Sequence, residues 1–252
     1  MSIWIDFDGI INARDLGGIP AADGKKVKPG RLLRGAGLQK ASDADVLRLE
    51  KDYHLKHIVD FRFSDECDRS PDRPVPGAEY HNMPALVRSG DKRMPGPGAD
   101  QSGEPDFDAV YRMVYARLAE LEHTAQTYRK FFDILLSTTE GAVYFHCTQG
   151  KDRTGMAAIL TLTALGADWA DAEADYFLSN VGLECMVENP GDPRSVNWSR
   201  KTKEALTYVF AENLAVYTDS VKRNWGSLDN YIRQRIGLTE AEIIRLREMY
   251  LE

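Results

Sequence analysis

The sequence predicts an α/β protein in which helices flank a central, mostly parallel sheet. Short apolar runs rich in β-branched and aromatic residues alternate with longer segments whose apolar residues recur at helical spacing. Glycine and proline turn signals separate these runs, and the last third of the chain carries helical patterns alone. Strands interleaved with helices are typical of parallel sheets. We therefore expect one domain over residues 1–252, with a helical C-terminal third.

The first half of the chain predicts strands and one well-marked helix. Residues 1–35 alternate brief apolar runs with Gly- and Pro-containing turns, which favours short strands. Ser42 is placed to cap a helix that runs to residue 53, and acids follow it in the first turn. The run at 57–62 predicts a buried strand, and 78–84 is a further strand candidate.

A long loop interrupts this pattern. Residues 85–106 are rich in Gly, Pro and charge and lack apolar periodicity. Loops of this length in a compact domain are usually functional or disordered. With the helix that follows, at about 85–122, the segment is a candidate mobile lid over a binding pocket. The alternative is a disordered surface excursion.

The second half predicts helices around one more strand. Helical spacing covers Phe107 to Leu121 and again Tyr128 to Leu136. A buried strand at 141–147 and a buried helix at 154–165, ended by Gly166, come next. The remaining helical segments are 168–180, 199–217, 227–235 and 238–251, the last with Thr239 and Glu242 in capping-box spacing.

Composition and charge restrict the classes of function that we expect for the protein. The 252 residues are 43% hydrophobic and 28% charged, as in ordinary globular proteins, and the net charge of −7 argues against nucleic-acid binding. The longest apolar stretch, 156–167, is too short to span a bilayer, so we expect no stable membrane insertion. The N-terminus has no basic region of the kind that opens a signal peptide. The expected location is the cytoplasm, or outside the cell if a signal peptide has been removed.

Neither a metal site nor a disulfide framework is predicted. Cys67, Cys147 and Cys185 form an odd, sparse set without the paired spacing of metal sites. His54 and His57 are close in sequence, but Lys and strand-like residues surround them rather than further ligands. For Cys67 and Cys185 we favour the role of small buried apolar side chains.

The chemistry is concentrated in the stretch YFHCTQGKDRTG, residues 144–155. A strand that ends at His146, a short loop and a helix from Thr154 form the layout in which backbone N–H groups and a helix N-terminus converge on an oxyanion. Cys147 lies at the strand end and faces that point. Arg153 adds a planar fork that can bind two phosphate oxygens. The expected phosphate-binding residues are Thr148, Gln149, Gly150, Lys151, Asp152 and Arg153.

Cys147 is the predicted nucleophile. The same N–H groups and the guanidinium should lower the pKa of its thiol, leaving a thiolate aimed at phosphorus. Thr154 is placed to donate a hydrogen bond to the sulfur, and His146 to orient the loop. Gly150 and Gly155 should let the backbone turn tightly and approach a ligand closely.

In the loop, five residues separate Cys147 from Arg153, and Thr and Gly follow the arginine. This pattern resembles the active-site signature of the cysteine-dependent tyrosine phosphatase superfamily. HCTQGKDRTG is most similar to its bacterial branch of atypical tyrosine and lipid phosphatases. The resemblance implies a phosphomonoester hydrolase that acts on phosphotyrosine and phosphoinositides, forms a cysteinyl-phosphate intermediate, uses no metal or cofactor and releases inorganic phosphate. Other segments that resemble the family are 12–18, 31–38, 58–62, 171–180 and 226–243.

The proton donor is left open. Members of the superfamily often carry an acid in a Trp-Pro-Asp triplet, which is absent here. Asp152, inside the loop, is the first candidate. Asp60, at the end of a predicted strand, matches an acid in this branch; its alternative is a structural ion pair with Arg153 or Arg62. Two further acids lie just past the long loop, Asp106 and Asp108.

Substrate choice is left open as well. In this branch a basic residue at the position of Lys151 favours multiply phosphorylated head groups; the alternative is a solvated side chain without a role. Two other functions are possible, a non-catalytic phosphate-binding module and a sulfur-transfer or arsenate-reducing enzyme with a similar loop. The intact Cys147 and Arg153 oppose the first, and the lack of a thiol motif opposes the second. Four more arginines could widen a positive rim, namely Arg14, Arg34, Arg62 and Arg69.

Overall fold

A computed structural model of the chain describes residues 3–87, 98–99, 103–188 and 193–252. The strands are β1 (Ile3–Trp4), β2 (Arg14–Asp15), β3 (Leu32–Gly35), β4 (His57–Asp60), β5 (Glu79–Asn82), β6 (Gly98–Ala99), β7 (Pro105–Asp106) and β8 (Val143–His146). The helices are α1 (Asp43–Lys51), α2 (Ser64–Arg69), α3 (Phe107–Glu120), α4 (Glu122–Ser137), α5 (Arg153–Leu165), α6 (Trp169–Gly182), α7 (Arg200–Thr207), α8 (Ala211–Trp225), α9 (Leu228–Asn230) and α10 (Glu240–Tyr250).

The central sheet has six strands in the order β1-β2-β3-β8-β4-β5. The last four of these are parallel, whereas β1 and β2 pair antiparallel at one edge. The predicted fold class, a mostly parallel sheet flanked by helices with a helical C-terminal third, is confirmed. Because the four parallel strands point the same way, their carboxyl ends meet at one edge of the sheet, where ligands of such sheets bind.

Each face of the sheet packs against its own apolar cluster. Val59 and Phe145 point into the larger cluster, which α4, α5 and the C-terminal helices complete. Their strand neighbours Ile58 and Tyr144 point into the smaller cluster beside α1. This alternation follows from the two-residue period of a strand. Helix α5 is buried along almost its entire length, which explains its continuous apolar sequence.

The capping signals in the sequence mark real helix ends. Ser42 forms a capping box with Asp45 at the start of α1, and Thr239 forms one with Glu242 at the start of α10. Gly166 ends α5 in the left-handed conformation, with a φ of 80°. These three boundaries are confirmed.

One predicted helix, 199–217, is two. Helix α7 ends at Thr207, Tyr208 and Phe210 are extended, and α8 follows. The break is stabilised from outside, because the Asn180 side chain accepts from the Val209 N–H at 2.7 Å and donates to its carbonyl at 3.0 Å. Tertiary hydrogen bonds therefore override the local helical pattern.

Much of the predicted lid lies outside the described residues, namely 88–97 and 100–102. The remainder includes the short pair β6–β7 and helix α3. The lid itself stays a prediction. No helix in the described ranges is both long and apolar enough to cross a membrane.

Candidate active site

The loop that follows β8 lies at the carboxyl edge of the sheet, between Cys147 and the start of α5 at Arg153. Gly150 has a φ of 70°, and a Cβ there would lie 2.1 Å from the Gly35 carbonyl oxygen, so only glycine fits. Gly155 differs from the prediction. It lies inside the first turn of α5, where a Cβ would meet the Tyr176 ring at 3.0 Å, so it serves helix packing rather than ligand approach.

Two side chains outside the loop fix its peptide orientation. Asn12 Nδ2 donates to the Gln149 carbonyl at 2.9 Å, and Arg34 Nη2 donates to the Gly150 carbonyl at 2.8 Å. The C=O and N–H of a trans peptide point in opposite directions. These bonds therefore turn the N–H groups of Gly150 and Lys151 away from Asn12 and Arg34.

The predicted positive rim is wrong for three of its four arginines. Arg14 and Arg34 are fully buried and form ion pairs with Asp175 at 2.8 and 2.5 Å. Arg62 is buried as well and pairs with Asp60. These guanidiniums have a structural role. A buried charge is stable in the low-dielectric interior only beside an opposite charge, and each guanidinium pairs with a buried carboxylate.

Cys147 is 2% exposed and lines a pocket of about 370 Å³ at the loop. Burial alone would raise the pKa of its thiol, but the Arg153 charge and the Thr154 side chain lower it below the ordinary value. The buried Thr154 hydroxyl has no hydrogen-bond partner among the described residues, so its proton is available to a thiolate. The lowered thiol pKa agrees with the sequence-based expectation, and Cys147 stays the predicted nucleophile.

Arg153 has a carboxylate partner that sequence reasoning missed. Its Nη1 donates to Glu66 Oε2 at 2.7 Å and its Nη2 to Glu66 Oε1 at 3.3 Å. Thr148 completes the group, since its hydroxyl donates to Glu66 at 2.6 Å and accepts from Arg153 Nη2 at 3.0 Å. Glu66 therefore orients the guanidinium from the side of α2. The only sequence signal was an acid in the first turn of a short helix after β4.

Glu66 should make the loop sensitive to acid. Burial would raise its pKa, but Arg153 lowers the pKa to about 2, from an ordinary value of 4.5. Because the folded state lowers this pKa, the contribution of Glu66 to stability is complete above pH 4.5 and is lost as the pH falls toward 2. We expect Glu66→Gln to lower the free energy of unfolding near pH 7 by on the order of 2 kcal/mol.

Denaturant unfolding of both chains between pH 7 and pH 3 measures this effect. The difference between wild type and Glu66→Gln should shrink as the pH falls. The control is Glu212→Gln, on the exposed side of α8. A difference that stays constant with pH would contradict the coupling between Glu66 and Arg153.

Asp152 lines the same pocket, next to Arg153. Its Oδ1 accepts a hydrogen bond of 2.6 Å from the Tyr115 hydroxyl, which also lies 2.6 Å from the Tyr176 hydroxyl. Burial and the Asp152 charge raise the pKa of Tyr115 well above its ordinary value, so this phenol stays protonated. Sequence reasoning did not connect Tyr115 with the loop, because it lies on α3.

Asp60 is placed differently from Asp152. It is fully buried, and the Arg62 guanidinium binds both of its oxygens, with Nε at 3.0 and 2.9 Å and Nη2 at 2.6 Å. Burial would raise its pKa, but His146 and Arg62 hold it well below the ordinary range. A buried carboxylate that stays ionised is unsuited to donate a proton. The structure therefore argues against Asp60 as the proton donor and favours the alternative, an ion pair with Arg62.

His146 joins this buried group. Its Nε2 lies 2.9 Å from Asp72 Oδ2, and its Nδ1 contacts the Cys147 carbonyl at 3.1 Å. Burial would lower its pKa, but Asp60 and Asp72 raise it. The ligand atoms of Asp60, Asp72 and His146 lie within 4.8 Å of one another, as in a metal site. However, Arg62 already supplies the cation, since it pairs with both carboxylates.

Lys151 does not extend into the pocket. It is 2% exposed, and its Nζ donates to the carbonyls of Leu206 and Tyr208 at 2.6 and 3.2 Å and to the Tyr111 hydroxyl at 3.1 Å. Three protein oxygens thus use its three N–H groups. Lys151 is neither the solvated side chain nor the substrate-facing cation expected from sequence; it connects the loop to α3 and α7.

The wall of the pocket opposite the loop is apolar and aromatic. It comes mainly from α3 and includes Tyr111, whose ring centroid lies 4.6 Å from Lys151 Nζ. Phe63, after β4, lies 5.7 Å from the Arg153 guanidinium carbon. The pocket therefore combines the loop of Cys147 and Arg153 with an apolar slot, whose other side chains are Leu86, Phe107, Val110, Val114 and Leu206.

Comparison with known families agrees with this geometry. A model described as the tyrosine phosphatase family matches residues 5–252. The chain belongs to the tyrosine phosphatase family. It is a bacterial-type, atypical member of that family and a phosphatase, as the loop and its neighbouring segments predicted.

Three relatives illustrate the match. The chain is 34% identical to a protein of Cupriavidus necator named “Putative tyrosine-protein phosphatase”, over 97% of this chain and 87% of the relative. It is 26% identical to the triple specificity protein phosphatase PtpB of Mycobacterium tuberculosis, over 98% of both chains. It is also 26% identical to a tyrosine-protein phosphatase of Nostoc commune, over 90% of this chain and 76% of the relative.

Proposed function

We propose that the enzyme hydrolyses phosphotyrosine through a cysteinyl-phosphate intermediate. The observation that carries this proposal is the composition of the pocket. The Cys147 thiol lies at an anion cradle completed by Arg153, and the opposite wall is apolar and aromatic. A phosphate on an aromatic ring satisfies both halves, because the cradle binds the oxygens while the ring displaces water from the slot.

The reaction follows from the position of each group. The Cys147 thiolate attacks phosphorus, a sulfur–phosphorus bond forms and the bond to the tyrosine oxygen breaks. The N–H groups of the loop and the Arg153 fork stabilise the charge on the transferring phosphoryl oxygens. Asp152 protonates the departing oxygen. Water then attacks the phosphocysteine with Asp152 as the base, which releases inorganic phosphate and restores the thiolate.

Asp152 is the proposed proton donor because it is the carboxyl group that lines the pocket beside Arg153. The hydrogen bond from Tyr115 fixes Oδ1, whereas Oδ2 lies 3.9 Å from Lys151 Nζ, beyond hydrogen-bond distance. The ionised, buried state of Asp60 supports the same assignment.

A leaving-group series tests this assignment. Asp152→Asn should reduce kcat about 10²-fold for phenols of high pKa and far less for phenols of low pKa, because the latter depart without a proton. The basic limb of the pH profile should disappear as well. Asp219→Asn, at an exposed position on α8, is the matched control and should keep the wild-type slope. An unchanged slope in Asp152→Asn would contradict the role and redirect the search to Asp106 and Asp108.

A substrate panel tests the proposed class. We expect phosphotyrosine peptides to exceed phosphoserine peptides in kcat/KM by at least about tenfold, because one large apolar side chain contributes about 1.5 kcal/mol or more on burial. Phosphoinositides and inositol phosphates form the second arm of the panel and are the second proposed class. Because Lys151 is buried and donates to protein oxygens, it offers no cation to the additional phosphates of these substrates. Equal rates on phosphoserine and phosphotyrosine would contradict the aromatic slot.

A further inference from the structure

A second cluster of reactive side chains lies at the other end of the sheet. His57 begins β4, and Glu79 and His81 lie on the neighbouring edge strand β5. The register pairs His57 with Glu79 and Val59 with His81. Residues opposite one another, and residues two apart on one strand, project from the same face of a sheet. All three side chains therefore lie on one face, although 22 residues or more separate His57 from the other two in sequence.

The ligand atoms are close enough to share an ion. His57 Nδ1 lies 3.0 Å from His81 Nε2 and 3.9 Å from Glu79 Oε2. One ligand atom from each of the three residues fits within 4.8 Å of the others. Two atoms that bind one zinc ion tetrahedrally at about 2.1 Å lie about 3.4 Å apart. The two imidazoles need to separate by a few tenths of an ångström, and the carboxylate needs to approach His57 Nδ1 by about half an ångström.

The surroundings favour a cation. The Glu79 side chain is 69% exposed and can rotate, whereas the imidazoles are only 21% and 20% exposed and are held by the sheet. In the described part of the chain, the ion-pair partners of Glu79 are these two rings alone. The neighbouring Lys56 pairs with Glu140 instead, at 3.1 Å. Among the described residues, no lysine or arginine therefore pairs with Glu79.

We propose that His57, Glu79 and His81 form a binding site for a divalent transition-metal ion, with Zn²⁺ as the best match. Two imidazoles and one carboxylate are ligands that zinc binds well, and water completes the tetrahedron. The site joins edge strand β5 to β4. It lies about 10 Å from the catalytic edge, because His57 and Asp60 are three residues apart on one strand. The bound ion stabilises the sheet and takes no part in phosphoryl transfer.

Zinc titration by calorimetry tests the site in the full-length chain. The background is Cys147→Ser, which removes the active-site thiolate as a competing ligand. We expect one equivalent of Zn²⁺ to bind and to raise the melting temperature. His81→Ala in this background should weaken binding at least about tenfold, since loss of an outer-shell partner alone costs about that much. Glu79→Gln, at an exposed position, should weaken binding without affecting the fold.

The matched control is His54→Asn. This substitution removes an exposed imidazole three residues from His57, and Asn tolerates the positive φ of 47° at that position. It should leave zinc affinity unchanged. Co²⁺ provides a second readout, because sulfur ligands produce a charge-transfer band that nitrogen and oxygen ligands lack. Three results would each overturn the proposal. These are absence of stoichiometric zinc binding, a zinc affinity that His81→Ala leaves unchanged, and a cobalt–sulfur band in the Cys147→Ser background.

Discussion

Replacing Cys147 by Ser should reduce kcat for an aryl phosphate by more than about 10⁴-fold, a loss of the size seen when an enzyme loses its nucleophile. The serine hydroxyl is not ionised at neutral pH, so neither Arg153 nor Thr154 can activate it as they activate the thiol. The anion cradle should stay intact, because the loop peptides are held by Asn12 and Arg34 rather than by the sulfur. Phosphate or vanadate should therefore still bind, which calorimetry would detect.

The matched control is Cys185→Ser. The structure corrects the expectation of a buried side chain here, because the Cys185 thiol is exposed and Cys67 is only partly buried. The Cys185→Ser chain should keep wild-type turnover, and every assay should contain a chelator. Turnover within tenfold of wild type in Cys147→Ser would contradict covalent catalysis. Loss of both turnover and phosphate binding would indicate instead that the thiol shapes the loop.

Replacing Arg153 by Lys should reduce kcat by about 10³-fold and raise KM as well, in the range found for other arginines that stabilise a transferring phosphoryl group. Lysine keeps the charge but presents a single point donor, whereas Arg153 contacts both oxygens of Glu66 and the Thr148 hydroxyl at once. A lysine ammonium cannot bind Glu66 and the phosphoryl oxygens in the same geometry.

The control is Arg69→Lys on α2, where the side chain is 71% exposed and pairs only with Asp65 among the described residues. It should have kinetic constants near those of wild type. A nearly silent Arg153→Lys would contradict the bidentate geometry of the loop. The melting temperatures of both variants should be compared, because Glu66 loses the Arg153 guanidinium as its partner in Arg153→Lys.

The fold was predictable because its signals are local. Alternating strands and helices, the N-cap at Ser42 and the capping box at Thr239 belong to short segments, and the structure contains both caps. The predicted helix over 199–217 failed for the opposite reason. Its break at Val209 depends on Asn180, a residue of another helix that no local pattern connects with it.

The site was predictable where one segment carries it. Cys147, Asp152 and Arg153 belong to a single loop, so strand–loop–helix geometry brings them together. Glu66 and Tyr115 approach that loop from α2 and α3, and only the folded chain shows these contacts. His81 is a similar case, since its contact with His57 depends on the register of two strands.

Burial caused the remaining errors. Lysine and aspartate side chains usually lie in solvent or in a reactive site. The sequence therefore suggested a substrate-facing or solvated position for Lys151 and proton donation as one role for Asp60. The structure buries each one with partners that satisfy its charge. A buried charge is stable only when such partners exist. Partner availability is a property of the whole fold, which explains why it was missed.

The most direct test of the mechanism is to trap the covalent intermediate. The wild-type enzyme is mixed with an aryl phosphate of low leaving-group pKa, quenched in denaturant during turnover and digested for peptide mass spectrometry. We expect one phosphoryl group on the peptide that contains Cys147, in larger amount for Asp152→Asn, whose hydrolysis step is slowed. A phosphoryl group on any other side chain, or turnover without a labelled cysteine in both chains, would contradict nucleophilic catalysis by Cys147.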